Sequence, residues 1–159
     1  MKLGQEEIIV YTDGGCHGNP GVGGWAVIIV DNGKTIKLSG SDPYTTNNKM
    51  ELIAVIKSLE ELVKLDCLNK NITLYTDSQY VKNGITTWIN NWKKNNWKTA
   101  SKQPVKNMDL WLKLDELVGK CTISFCWVKG HSGNELNEAC DLLVQEAIKQ
   151  SKNHNHFVK

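Results

Sequence analysis

The spacing of apolar positions changes along the chain, and each change marks an element. Residues 8–12 (Ile-Ile-Val-Tyr-Thr) are a continuous apolar run, as in strands buried on both faces. Residues 25–30 and 35–38 read as two further strands, joined by the tight-hairpin signal Asp31-Asn-Gly33. Between the first two strands, residues 14–24 hold six glycines and one proline and read as a loop. Residues 45–66 carry apolar side chains at 50, 53, 56, 59 and 63, a helical spacing, with Thr45 or Thr46 as N-cap. Residues 72–76 and 122–128 complete the strands, and helices are predicted over 79–90, 107–118 and 135–150. The order is β-β-β-α-β-α-α-β-α. Hairpins require antiparallel neighbours, whereas strand–helix–strand connections require parallel ones. The expected fold class is therefore α/β, a mixed five-stranded sheet with helices on both faces. The polar residues 151–159 read as a frayed tail.

Composition narrows the class. The 159 residues suit one domain, and 40% apolar against 23% charged residues excludes a disordered, collagen-like or coiled-coil chain. The longest apolar stretch, Trp25-Ala-Val-Ile-Ile-Val30, is six residues, against the roughly 20 of a membrane-spanning helix, so no membrane partner is expected. The start, Met1-Lys-Leu-Gly-Gln-Glu-Glu7, carries no apolar signal region. Five cysteines without a CxxC pair argue against a disulfide framework or a zinc ribbon. A cytoplasmic location with reduced thiols is the expectation.

Net charge is only +2, but it is unevenly spread. Residues 78–108 hold six lysines and no acid, while the rest of the chain sums to −4. A basic stripe on an otherwise acidic domain suits a polyanionic partner. All nineteen basic residues are lysine and asparagine occurs sixteen times, which reflects an AT-rich coding bias rather than chemistry.

Ile9-Val-Tyr-Thr-Asp13 and Thr73-Leu-Tyr-Thr-Asp77 both end an apolar strand with Tyr-Thr-Asp. In an open α/β sheet, ligands bind beyond the carboxyl ends of the strands. Parallel neighbours lie roughly 4.8 Å apart, so both aspartates would project at one edge. Either Asp alone is an ordinary turn former; the repeated pair points to a site. Glu51 lies among Met50, Leu52, Ala54, Val55 and Leu62. A first-turn Glu can simply favour the helix dipole, but on a core-facing stripe it needs a partner. Asp141 repeats the pattern between Cys140 and Leu142. Four acids in one region repel unless a divalent cation neutralises them, and hard oxygen donors suit magnesium or manganese rather than zinc.

Other motifs fail on context. Gly21-Val-Gly-Gly-Trp-Ala26 fits a loose dinucleotide pattern but leads into a strand instead of a helix. His17, His154 and His156 read as solvated loop or tail residues. His131, in Lys129-Gly-His-Ser-Gly133 ahead of the helix carrying Asp141, suits a proton carrier near the acids. Trp88, Trp92 and Trp97 alternate with Lys93, Lys94 and Lys98. The one-turn spacing of Trp88 and Trp92 fits a core stripe. The lysines lack any acidic partner nearby, and the whole segment reads as a sequence-independent nucleic-acid grip.

Four stretches together resemble the bacterial type 1 ribonuclease H family. They are Tyr11-Thr-Asp-Gly-Gly-Cys-His-Gly-Asn-Pro-Gly-Val-Gly-Gly24, Thr45-Thr-Asn-Asn-Lys-Met-Glu-Leu52, Thr76-Asp-Ser-Gln-Tyr-Val81 and Trp127-Val-Lys-Gly-His-Ser-Gly133. The spacing to Asn137-Glu-Ala-Cys-Asp141 fits as well, and the likeness runs from about residue 7 to 150. The resemblance implies a ribonuclease H-like sheet of three antiparallel then two parallel strands. It implies a single catalytic domain over 1–150, with a basic protrusion at about 86–107 and a flexible tail over 151–159. It also implies an endonuclease that hydrolyses the RNA strand of RNA–DNA hybrids by a two-metal-ion mechanism, leaving 3′-hydroxyl and 5′-phosphate ends. Asp13, Glu51, Asp77 and Asp141 would then be the catalytic ligands of Mg2+, with Mn2+ as a substitute, and His131 would assist proton transfer or product release. Cys16, Asn19, Asn47 and Gln79 would contact the minor groove and Thr46 a DNA phosphate, while Trp88, Trp92, Lys93, Lys94, Trp97 and Lys98 would hold the substrate. A monomer is the expected state.

Two other classes share part of this pattern. A DNA strand-transfer domain on the same fold keeps the acidic cluster but has no need of residues 45–48 or of the glycine-rich groups. A non-enzymatic hybrid-binding module keeps the lysines and tryptophans but has no use for inward acids. Offering duplex DNA, duplex RNA and hybrid separates the strand-transfer reading from a ribonuclease H.

Overall fold

The computed structural model describes residues 7–67, 69–99, 101–128 and 135–158, with side chains through 152. Strands β1 (Glu7–His17), β2 (Gly21–Asp31) and β3 (Lys34–Thr45) precede helix α1 (Asn47–Lys64) and strand β4 (Asn71–Thr76). Helices α2 (Gln79–Asn83), α3 (Ile89–Lys94) and α4 (Met108–Val118), strand β5 (Thr122–Trp127) and helix α5 (Glu135–Val158) follow. One sheet runs β3-β2-β1-β4-β5, antiparallel from β3 to β1 and parallel across β1, β4 and β5. The mixed five-stranded arrangement expected from the apolar pattern is the one found.

The central strand is buried on both faces because its alternate side chains enter two different cores. Ile8 and Val10 join Val27, Leu52, Leu59, Leu74 and Trp111 on the α1 side. Tyr11 joins Ala26, Ile28, Cys140, Val144 and Ile148 on the α5 side. That double burial, period two on a strand with no polar face, is why residues 8–12 read as an unbroken apolar run.

Three expectations about element bounds are corrected. The glycine-rich stretch is not a loop: β1 and β2 continue as a paired ladder through Gly14↔Trp25 to His17↔Val22, and only Gly18 to Pro20 turns. Glycine suppresses strand propensity in sequence, yet Gly14 is needed here because it lies against the backbone of Met50 and Glu51. The helix predicted over 79–90 runs to Lys94 with a π-helical turn at Gly84–Trp88, where the missing Cβ of Gly84 leaves room for the Trp111 ring. Helix α5 extends to Val158, so residues 151–158, expected as a tail, continue the helix. No Gly or Pro interrupts that segment. Among the described residues, no helix is long and apolar enough to cross a membrane.

Candidate metal and nucleic-acid site

The repeated Tyr-Thr-Asp is a statement of register. Tyr11 is paired with Tyr75 across the parallel β1–β4 ladder, and their rings stack at 4.8 Å between centroids. Asp13 and Asp77 each follow two residues later, level with one another at the carboxyl edge. Thr76 and Ser78 fix the bend around Asp77: the Ser78 N–H donates to Thr76 Oγ1 at 3.1 Å, and Ser78 Oγ accepts from the Val81 N–H at 3.1 Å, capping α2. From β5, the Trp127 indole N–H donates to the Asp77 carbonyl at 3.2 Å, and Lys82 lies 4.9 Å over the same ring. Thr46 caps α1 by accepting from the Lys49 N–H at 3.2 Å, which sets the face on which Glu51 points inward.

Asp13, Glu51 and Asp77 each place a carboxylate oxygen within 4.8 Å of the others. Asp13 and Glu51 are only 6% exposed, and Glu51 Oε1 has no hydrogen-bond partner. Asp141, half-buried on α5, lines the same cavity of about 330 Å³ and raises the Asp13 pKa through charge and a side-chain hydrogen bond. The predicted acids therefore converge, three within the cluster and Asp141 beside it.

Burial first, then the charges of Asp77 and Asp141, push Asp13 up to about 8 despite its bond from the Gly14 N–H at 2.9 Å. Burial likewise holds Glu51 well above the usual carboxylate range, with Asp13 and Asp77 adding to it. Cys140 is buried beside them, its thiol directed at the Ala26 carbonyl and held upward by burial and the four carboxylates. Clustered oxygen donors with an orphaned buried carboxylate atom are what a hard divalent cation requires. The residues present fit magnesium or manganese.

The other expected contact residues fall around this cavity. Cys16 and Asn47 line it directly, although the Cys16 thiol already lies 2.8 Å from the Gly18 carbonyl inside the hairpin. Asn19 and Thr46 line a neighbouring cavity of about 340 Å³ with Lys106 and Asn107, and Asn19 Oδ1 accepts from the Asn47 N–H at 3.0 Å. Gln79 is exposed on the first turn of α2, two residues from Asp77. His131 lies outside the described residues. Sequence reading missed Asn137, Glu138 and Gln145, which line the carboxylate cavity; their spacing from Asp141, −4, −3 and +4 on one helix, was the available signal.

His17 is exposed, as expected, but it ends β1 instead of lying in a loop. Its ring is 2.9 Å from both Gln145 Oε1 and Lys152 Nζ.

In the basic segment, Trp92 and Trp97 pack against the main core, and Trp88 packs on Tyr80 and Trp92. Trp92 meets the fully buried Trp111 edge-on at 5.4 Å. All three rings are half-buried, so each packs within the protein and keeps a face toward solvent. The expectation that the lysines lack an acidic partner is corrected for Lys93, which pairs with Asp115 at 2.9 Å. Lys94, Lys98 and Lys102 border an open cavity of about 560 Å³ with Asn95 and Thr99.

The fold and this carboxylate edge define an α/β protein with an acidic cluster that could hold a divalent cation. The family model for RNase H matches residues 5–149. The chain is 53% identical over 144 residues to the Ribonuclease H of Francisella philomiragia, covering 91% of this chain and 92% of that one. The Ribonuclease H of Francisella tularensis subsp. novicida matches to the same extent. Among solved structures, LC9-RNase H1, a type 1 RNase H with the type 2 active-site motif, superposes with a TM-score of 0.80 at 28% identity, over 94% of this chain and 75% of that one. LC11-RNase H1 in complex with an RNA/DNA hybrid gives 0.70 at 28%, over 91% and 98%. The chain belongs to the ribonuclease H family.

Proposed function

We propose that the chain is a metal-dependent endoribonuclease that hydrolyses the RNA strand of RNA–DNA hybrids, leaving 3′-hydroxyl and 5′-phosphate ends. The observation that carries this reading is the convergence of Asp13, Glu51 and Asp77 within 4.8 Å, with Asp141 beside them. These four would hold two Mg2+ ions, or Mn2+ in their place, which when bound supply Lewis-acid charge for the attacking water and the departing 3′ oxygen. The chain's own groups do the rest. Cys16 and Asn47 in the carboxylate cavity, Asn19 in the neighbouring one and Gln79, exposed two residues from Asp77, would contact the minor groove, and Thr46 would hold a DNA phosphate. RNA is told from DNA by its 2′-hydroxyls in that groove. The hybrid-bound relative supports the substrate class. Cleavage of hybrid, duplex DNA and duplex RNA with and without magnesium tests it: only hybrid should be cut, and only with the metal.

Residues 86–107 serve in this reading as a basic protrusion for the hybrid, on a domain spanning 1–150 that acts as a monomer. Replacing Lys93, Lys94 and Lys98 with Ala should raise KM while kcat at saturating substrate holds. Lys93 is tied to Asp115, so the slope of log K against log salt should become shallower by about 2 rather than 3. An unchanged KM and slope would place the substrate elsewhere.

His131→Ala should lower kcat by about 10²–10⁴-fold, the usual contribution of a proton carrier, with metal affinity retained. Total loss together with weakened magnesium binding would instead make His131 a ligand.

A further inference from the structure

The α5 side of the cleft carries three side chains that the proposed chemistry leaves unused. His17 is exposed at the end of β1, Gln145 lines the carboxylate cavity with it, and Lys152 lies two helical turns farther along α5. Lys152 Nζ is 2.9 Å from His17 Nδ1, and His17 Nε2 is 2.9 Å from Gln145 Oε1. An ammonium can only donate. His17 Nδ1 therefore accepts, the ring proton sits on Nε2, and it is donated to the Gln145 oxygen.

The direction of this relay decides what it can bind. With Gln145 Oε1 engaged, the group left to a ligand is its amide NH2, and Lys152 keeps two of its three N–H donors. Apart from the second lone pair of Gln145 Oε1, the capacity left over is donor capacity beside a positive charge, the complement of phosphodiester and ribose oxygens. The place fits as well. Gln145 and Lys152 stand four and eleven residues beyond Asp141, about 6 and 16 Å along the helix. Helix α5 packs on the Tyr11–Ile28 face of the sheet, whereas Trp92 and Trp97 join the opposite core. A polyanion lying across the carboxylate edge meets the lysine segment on one side and the relay on the other.

We propose that Lys152, His17 and Gln145 form a second phosphodiester-binding site, which holds the cleaved strand a few nucleotides from the scissile bond. The proposal rests on the function argued above, because Asp141 on the same helix then stands beside the scissile phosphate. His17 is a positioning residue in it, orienting Gln145 and Lys152 together.

The test compares Lys152→Gln and His17→Leu with Lys34→Gln, which removes a charge at the β2–β3 turn, where β3 begins opposite Asp31. On a long hybrid, Lys152→Gln should raise KM about three- to tenfold at low salt and make the salt slope shallower by about 0.7–0.9, with kcat held. Lys34→Gln should behave as wild type. His17→Leu should also raise KM, and the double variant should fall short of the product of the single effects, since the groups act as one unit. On hybrids trimmed to end at the cleaved bond on the α5 side, the differences should vanish. Wild-type KM and slope in Lys152→Gln, an equal effect of Lys34→Gln, strictly multiplicative single effects, or an effect that survives trimming would each overturn the relay. A wild-type protein that does not cut hybrid would overturn the function itself.

Discussion

Asp13→Asn is expected to lower hybrid cleavage about a thousandfold or more and, in the same protein, to raise the melting temperature without metal. The two effects share one cause. Asp13 is 6% exposed and its pKa is pushed up to about 8 from an ordinary 3.8, by burial first and then by Asp77 and Asp141. A group whose folded pKa lies above its unfolded value contributes stability that is complete below the unfolded pKa and lost as pH rises through the folded one. The metal-free protein should accordingly weaken between about pH 4 and pH 8. At pH 7 the substitution should recover on the order of 2 kcal/mol, or about 4–8 °C in Tm for a chain of this size. At pH 4 most of the gain should disappear, because Asp13 is then protonated in the folded state and partly protonated in the unfolded one. Magnesium should stabilise the wild type and do much less for the variant. Asp77→Asn should also lose cleavage. Thermal melts of both proteins at pH 4 and 7, with and without magnesium, check this alongside the rate. An Asn variant that melts lower at pH 7 would show that Asp13 is not held against its neighbours' charge. One that cleaves normally would remove it from the site.

The acids were legible in sequence for a reason that the register makes plain. Two copies of Tyr-Thr-Asp can end neighbouring parallel strands only in step, and the stacked Tyr11 and Tyr75 rings hold them so. Glu51 was legible because its helical neighbours are apolar, and such a stripe faces a core. What sequence hid was set by tertiary approach. Glycines that signal a loop instead let β1 and β2 run on beside α1, because the missing Cβ matters only once Met50 is in place. The partners of His17 were hidden because Gln145 and Lys152 lie 128 and 135 residues away. Lys93 looked unpaired because Asp115 reaches it from the next helix. The tryptophan stripe carried a core signal and a binding signal at once, and its half-buried rings beside the fully buried Trp111 are compatible with both.

Gly14→Ala is expected to damage the site as severely as any substitution outside the carboxylates themselves. A Cβ on Gly14 would sit 2.5–2.7 Å from the Met50 carbonyl carbon and oxygen and the Glu51 nitrogen. All three are backbone atoms, so no side chain can turn aside. Strand β1 and helix α1 must separate, and they carry Asp13 and Glu51 respectively. The Gly14 N–H, which donates to Asp13 Oδ1 at 2.9 Å and also lowers the Glu51 pKa by a backbone hydrogen bond, shifts with them. Overpacking of this kind costs about 1–3 kcal/mol, and a displacement near 1 Å between reacting groups can cost about a hundredfold in rate. Cleavage should fall by that order with weaker magnesium binding, while far-ultraviolet circular dichroism still reports a folded chain. Excess magnesium should restore part of the activity, because the ligands remain and only their spacing has changed. Gly33→Ala is the control, since a Cβ there meets nothing within 4 Å and its positive φ strains only a distant turn. Full activity and metal affinity in Gly14→Ala would show that the close approach of β1 to α1 does not set the carboxylate geometry.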